Sequence, residues 1–245
     1  RQPGQSIAQR FGLARVVLAH ETTAELKKLS AGMSRLVLSD ENVAGGLQTG
    51  WGHLPMPPYP KAQDRVAVLA SRIAAADGPE IDLCLAIRDP ATYLTSAYSQ
   101  ILHGKRVVDP TKFISKNPIA AVDWANYVAR LRTVLGVRSL TVWQHEDYPD
   151  LFDEVIAALI GEITIAPLAE RSQQRLSKKA LDAVLSAKAK GLPNVVAEAA
   201  SAHPISASNP PFRLFDDTQM DASARQYAAQ RDAIAAMDGV TLLRA

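Results

Sequence analysis

The chain has 245 residues, 47% of them hydrophobic, and a formal net charge of +2 with both signs dispersed. That length and apolar content suit one domain, residues 1–245, with a substantial core. The charge balance argues against a nucleic-acid partner, and no run approaches the roughly 18 apolar residues of a membrane span.

In chain order, residues 6–12 read as a short helix, 14–19 (ARVVLA) and 35–39 (RLVLS) as strands, and 22–29 as a helix between them. Residues 45–60 hold four glycines and four prolines, together with Trp51, His53 and Tyr59. Such punctuation breaks any regular element, and its aromatics suit either a substrate-facing loop or the cover of a core edge. Residues 62–76 are apolar at helical spacing through Val66, Leu69 and Ile73, and Gly78-Pro79 stops them.

The most informative stretch follows, IDLCLAIRDPATYLTSAYSQ. Its apolar run ends in Arg88, Asp89-Pro90 breaks the strand, and 93–102 reads as a helix. A guanidinium at a strand end and the Ser96 hydroxyl on the next helix would then face one crevice. Open α/β sheets bind ligands in crevices outside the carboxyl ends of their strands. A bidentate cation with a hydroxyl beside it suits a phosphate group, although Asp89 is also available to Arg88 as a local ion-pair partner.

Lys105, Arg106, Lys112 and Lys116 form a basic loop, suited to closing over a nucleotide or simply to solvent. Residues 119–135 read as one long amphipathic helix ended by Gly136, 139–143 as a strand, and 151–160 as a helix ended by Gly161. Ser177 is placed to cap a helix running to residue 190. Lys178 and Lys179 would sit in its first turn, where the macrodipole disfavours cations. Residues 191–218 carry little pattern, 220–237 read as a last helix, and 240–243 form an apolar run. Strand and helix therefore alternate, which argues an α/β fold with a mostly parallel sheet. Trp124 and Trp143 are expected in the core.

The lone Cys84 has no intramolecular disulfide partner, which suits a reducing, cytoplasmic setting, and it reads as a small buried residue. No charged-then-apolar leader opens the chain. His145-Glu146-Asp147 is too contiguous for one helix-face metal site, and no metal is expected.

Arg88, Pro90 and Ser96, followed by Tyr98 and Gln100, resemble the 3′-phosphate-binding element of sulfotransferases that use 3′-phosphoadenosine 5′-phosphosulfate (PAPS). Ser39-Asp40-Glu41 after a strand, Trp124-x-x-Tyr127, TVWQHEDY, Arg175-Leu176-Ser177, and Tyr227 with Asp232 are similar to further segments of that family. The resemblance implies a P-loop-like three-layer α/β/α sandwich with a mostly parallel sheet of about four or five strands. It also implies PAPS as co-substrate and a small-molecule or carbohydrate hydroxyl as acceptor. Gly4, Gln5 and Ser6 would cradle the 5′-phosphosulfate with backbone N–H groups at a helix N-terminus. Gln2 stands where the family has lysine, and the family's first strand is expected upstream of Arg1. Three explanations follow: a cradle completed by upstream residues, a working variant, or a catalytically degenerate nucleotide- or partner-binding relative.

For the base that deprotonates the acceptor, Glu41 stands at a strand end, where partial shielding raises a carboxylate pKa; local backbone capping is its other reading. His20 at the end of ARVVLA is the rival, although His20-Glu21 equally suits a helix entry, and His53 is a third candidate.

Overall fold

The apolar run before Arg88 forms strand β1 (Ile81–Ile87), and the VRSLTVWQ segment forms β2 (Val137–Gln144). A third strand, β3 (Val240–Leu242), is built from the C-terminal apolar run. All three are parallel, in the order β1-β2-β3, with Ile87 opposite Gln144 and Leu140 opposite Val240. A computed structural model describes residues 19–40, 42–47, 52–103, 108–161, 163–167, 176–192 and 195–245, the side chains of 19–21 excepted. Among these residues lie nine α-helices, so the chain is α/β.

The helices are α1 (Ala19–Ser30), α2 (Ala62–Ala75), α3 (Pro90–Ile101), α4 (Pro110–Lys116) and α5 (Trp124–Arg132). After β2 come α6 (Phe152–Ile160), α7 (Lys178–Ala189), α8 (Val195–Ala202) and α9 (Asp217–Ala235). Alternate residues of a strand point to opposite faces. Ile87, Leu140 and Val142 are fully buried on one face, within a core that includes Leu94, Val128 and Ile234 from α3, α5 and α9. The opposite face carries Cys84, Thr141 and Trp143, all only half-buried, so Trp143 does not fill the core as expected, whereas Trp124 does.

Several helix starts follow from single residues. Asp89 accepts from the Thr92 N–H at 3.0 Å with Pro90 at the first helical position, and Asp109 with Pro110 repeats the device at α4. Ser177 accepts from the Ala180 N–H at 3.1 Å, as its place in the sequence suggests. Asp216 and Gln219 form a reciprocal capping box at α9.

Two expected elements differ, and one helix forms where no element was expected. Residues 35–40 belong to no strand, with Leu36 and Val37 exposed; Leu38 instead packs against the cluster of Leu26 and Leu69 between α1 and α2. The helix expected over 119–135 is split into a 3-10 turn (Ile119–Ala121) and α5. Asp123 caps α5, and Gln230 of α9 donates to the Val122 carbonyl at 2.8 Å while accepting from the Trp124 N–H at 3.0 Å. These side chains satisfy the backbone groups that a continuous helix would have paired. In the pattern-poor stretch, α8 forms because Val195, Val196 and Ala199 bury one face against α7. The expected helix at 6–12 and all but the last residue of the expected strand at 14–19 lie outside the described residues, and Ala19 opens α1.

At the N-terminal end of β1, Arg138 Nε donates to Asp82 Oδ1 at 2.9 Å, a second guanidinium nitrogen bonds the other oxygen, and Ser139 Oγ donates at 2.6 Å. The Arg138 hydrogen bond holds the Asp82 carboxyl below its ordinary value of 3.8. The native state therefore binds this proton less readily than the unfolded chain does. The contribution is complete above the unfolded pKa and is lost as pH falls through the native one. Because the Asp82 side chain is 38% exposed, we expect Asp82→Asn to cost no more than about 1 kcal/mol at pH 7. Urea titrations of both proteins check this, and the difference should vanish at pH values below the native pKa.

Candidate functional site

Arg88 follows the last paired residue of β1, and the chain turns there into the Asp89 cap. Trp124 Nε1 donates to the Arg88 carbonyl at 2.6 Å and pins that turn. Asp89 is occupied elsewhere: one oxygen accepts from the Thr92 N–H and the other from Ser223 Oγ, each at 3.0 Å. Among the described residues, Glu146 is the carboxylate paired with the Arg88 side chain, its Oε1 lying 4.0 Å from Nε. Nε itself donates to Thr92 Oγ1 at 3.1 Å.

Arg88 and Ser96 line the same cleft, of about 200 Å³. Asn42 and Gln100 complete its polar wall, and Tyr59 and Tyr93 form an aromatic one. A guanidinium, a hydroxyl and two amides are donors suited to an anion. The volume is below that of pockets that enclose a whole drug-sized ligand. Burial pushes the Tyr93 phenol well up, reinforced by the neighbouring Tyr59 hydroxyl, so Tyr93 brings no negative charge to the cleft.

Two buttresses hold the loops of the cleft. Arg65 donates to the carbonyls of Asn42 and Val43, each at 2.7 Å. Arg130 donates to the carbonyls of Pro58 at 2.7 Å and Tyr59 at 3.2 Å, and its guanidinium lies 5.6 Å from the Tyr127 ring centroid. Further along the same glycine- and proline-rich stretch, buried Asn117 accepts from the Leu54 N–H and donates to the Gly52 carbonyl. Within this stretch Gly45 and Tyr59 line the cleft, while Leu54 enters the core.

The other candidates do not join this cleft within the described residues. Glu41, Gly4, Gln5, Ser6, Lys105 and Arg106 lie outside those residues. His20 is in the first turn of α1, with its side chain outside the described set. His53 is exposed, as are Lys112 and Lys116 on α4. Lys178 and Lys179 are exposed in the first turn of α7, and Lys178 lines a separate groove with Leu181 and Phe212. Burial pushes the Cys84 thiol up, the opposite of what an activated nucleophile needs. Among the described residues no group of three or more His, Cys, Asp or Glu side chains could hold a metal, and no helix is long and apolar enough to cross a membrane.

Sequence reasoning missed the residues behind the strand ends. Glu146 also accepts from the Asp89 N–H at 3.0 Å and, through Oε2, from the Tyr227 hydroxyl at 3.4 Å. Arg231 donates to Gln144 Oε1 at 2.8 Å beside the Tyr227 ring. The available signal was Glu146's position two residues beyond a parallel strand. No protein-family model, curated protein or solved structure matches the chain.

Proposed function

We propose that the protein is a PAPS-dependent sulfotransferase with a P-loop-like α/β/α core. The observation that carries this reading is that Arg88 and Ser96, from a strand end and the following helix, line one cleft with further amide donors. Arg88 and Ser96 bind the 3′-phosphate, and Gly4, Gln5 and Ser6 wrap the 5′-phosphosulfate. The acceptor's hydroxyl oxygen attacks sulfur as the bond from sulfur to the bridging phosphate oxygen breaks. The electron pair leaves on adenosine 3′,5′-bisphosphate, and the hydroxyl proton passes to Glu41, or to His20 in its place. Sulfuryl transfer of this kind rests on positioning and a few cationic donors, so no metal is required.

Thermal unfolding with adenosine 3′,5′-bisphosphate, against ATP as control, tests the donor site. Ligand at a hundred times its dissociation constant should add about 2.7 kcal/mol. Transfer of labelled sulfate from PAPS to a hydroxyl library tests the reaction. Stabilisation without transfer assigns the protein to the degenerate binding class, which Gln2 at the lysine position favours. No response to the bisphosphate rejects both readings.

A further inference from the structure

By charge alone Glu146 is out of place, because a carboxylate 4.0 Å from Arg88 Nε weakens an anion site. Its contacts give another account. Glu146 is held by the Asp89 N–H at the β1–α3 turn and by the Tyr227 hydroxyl of α9. The Thr92 hydroxyl lies between it and the arginine, accepting from Arg88 Nε at 3.1 Å. The single Thr92 proton can go to Glu146 Oε1 at 3.3 Å or to the Asp89 carbonyl at 3.0 Å. A long arginine side chain loses rotamer freedom when it grips a ligand, and ordering it beforehand lowers that cost.

We propose that Glu146 is a positioning residue which, with Thr92, holds the Arg88 guanidinium at the angle needed to grip the 3′-phosphate; this rests on the function proposed above. Opposed outcomes follow from removing its charge. A purely electrostatic role predicts tighter anion binding, whereas positioning predicts weaker and less selective binding.

The test is calorimetry on the full chain with adenosine 3′,5′-bisphosphate and adenosine 5′-monophosphate. The ratio of the two dissociation constants reads the 3′-phosphate grip. Glu146→Gln should lower that selectivity about tenfold, a typical loss for a hydrogen bond to a charged group. Thr92→Val should lower it too, and the Arg88→Ala/Glu146→Gln pair should be no less selective than Arg88→Ala alone. Unchanged or increased selectivity in Glu146→Gln overturns the proposal, as does an equal weakening of both ligands, which marks a merely structural role. If the wild type binds both nucleotides equally, the sulfotransferase reading fails by itself. The Arg88 Nε–H resonance, followed by NMR without ligand, still decides the positioning claim. Proton exchange about tenfold faster in Glu146→Gln supports it, and unchanged exchange overturns it.

Discussion

Replacing Arg88 with alanine should lower the affinity for adenosine 3′,5′-bisphosphate by about 2–4 kcal/mol, the range for removing one side of a hydrogen-bonded charge pair. That is roughly a thirty- to thousandfold rise in dissociation constant. The side chain is 20% exposed, so its contact with a bound phosphate would be largely shielded from water. Arg88→Lys should recover only part of the loss, because an ammonium lacks the planar fork and the Nε that meets Thr92. Stability should change little by comparison, since Trp124 bonds the Arg88 backbone carbonyl rather than its side chain. Isothermal titration calorimetry of the three proteins reads the affinities. Equal affinity in wild type and Arg88→Ala would remove the basis of the proposed donor site.

Asn117→Ala should destabilise the protein by about 2–4 kcal/mol, since each buried polar group left unpaired costs about 1–3 kcal/mol. The Asn117 side chain accepts from the Leu54 N–H at 2.9 Å and donates to the carbonyls of Gly52 at 3.0 Å and Phe113 at 2.8 Å. It joins the end of α4 to the irregular stretch that also supplies Tyr59 to the cleft. Alanine fills neither role and leaves a buried N–H without its acceptor. Asn117→Asp keeps an acceptor for Leu54 while losing both donated bonds, and it buries a carboxylate beside two carbonyls. It should therefore be no more stable than the alanine variant. Urea unfolding followed by tryptophan fluorescence measures both, with a fall in midpoint at unchanged slope as the expected result. A loss below about 1 kcal/mol in Asn117→Ala would mean that the stretch is held chiefly by Leu54 and its apolar neighbours.

Local rules worked at Asp89-Pro90 and at Ser177, and Asp109-Pro110 and Asp216 show the same device at helix starts that the sequence pattern does not announce. Asp89-Pro90, Asp109-Pro110, Ser177 and Asp216 begin helices because each side chain satisfies an orphan N–H of the turn that follows it. The same rules failed where a distant residue completes the bonding. Nothing near residue 122 announces that Gln230, from the far end of the chain, will pair its backbone and split a helix. Residues 35–39 have the composition of a strand, but strand identity needs a partner ladder, and Leu38 is claimed by helices instead.

For the site, the spacing of Arg88 and Ser96 was legible because both belong to one strand–turn–helix unit, whose geometry follows from the Asp-Pro break. Glu146, Thr92 and Tyr227 as a group were not legible. They come from three elements, and their meeting depends on the parallel pairing of β1 with β2 and the packing of α9. The amino-acid order alone thus determined the α/β class, the helix starts at Asp89-Pro90 and Ser177, and the placing of Arg88 and Ser96 beside one cleft. Tertiary structure decided that Glu146 meets Arg88 and that the stretches of Asn42 and Tyr59 wall its cleft, because those contacts are set by packing between segments far apart along the chain.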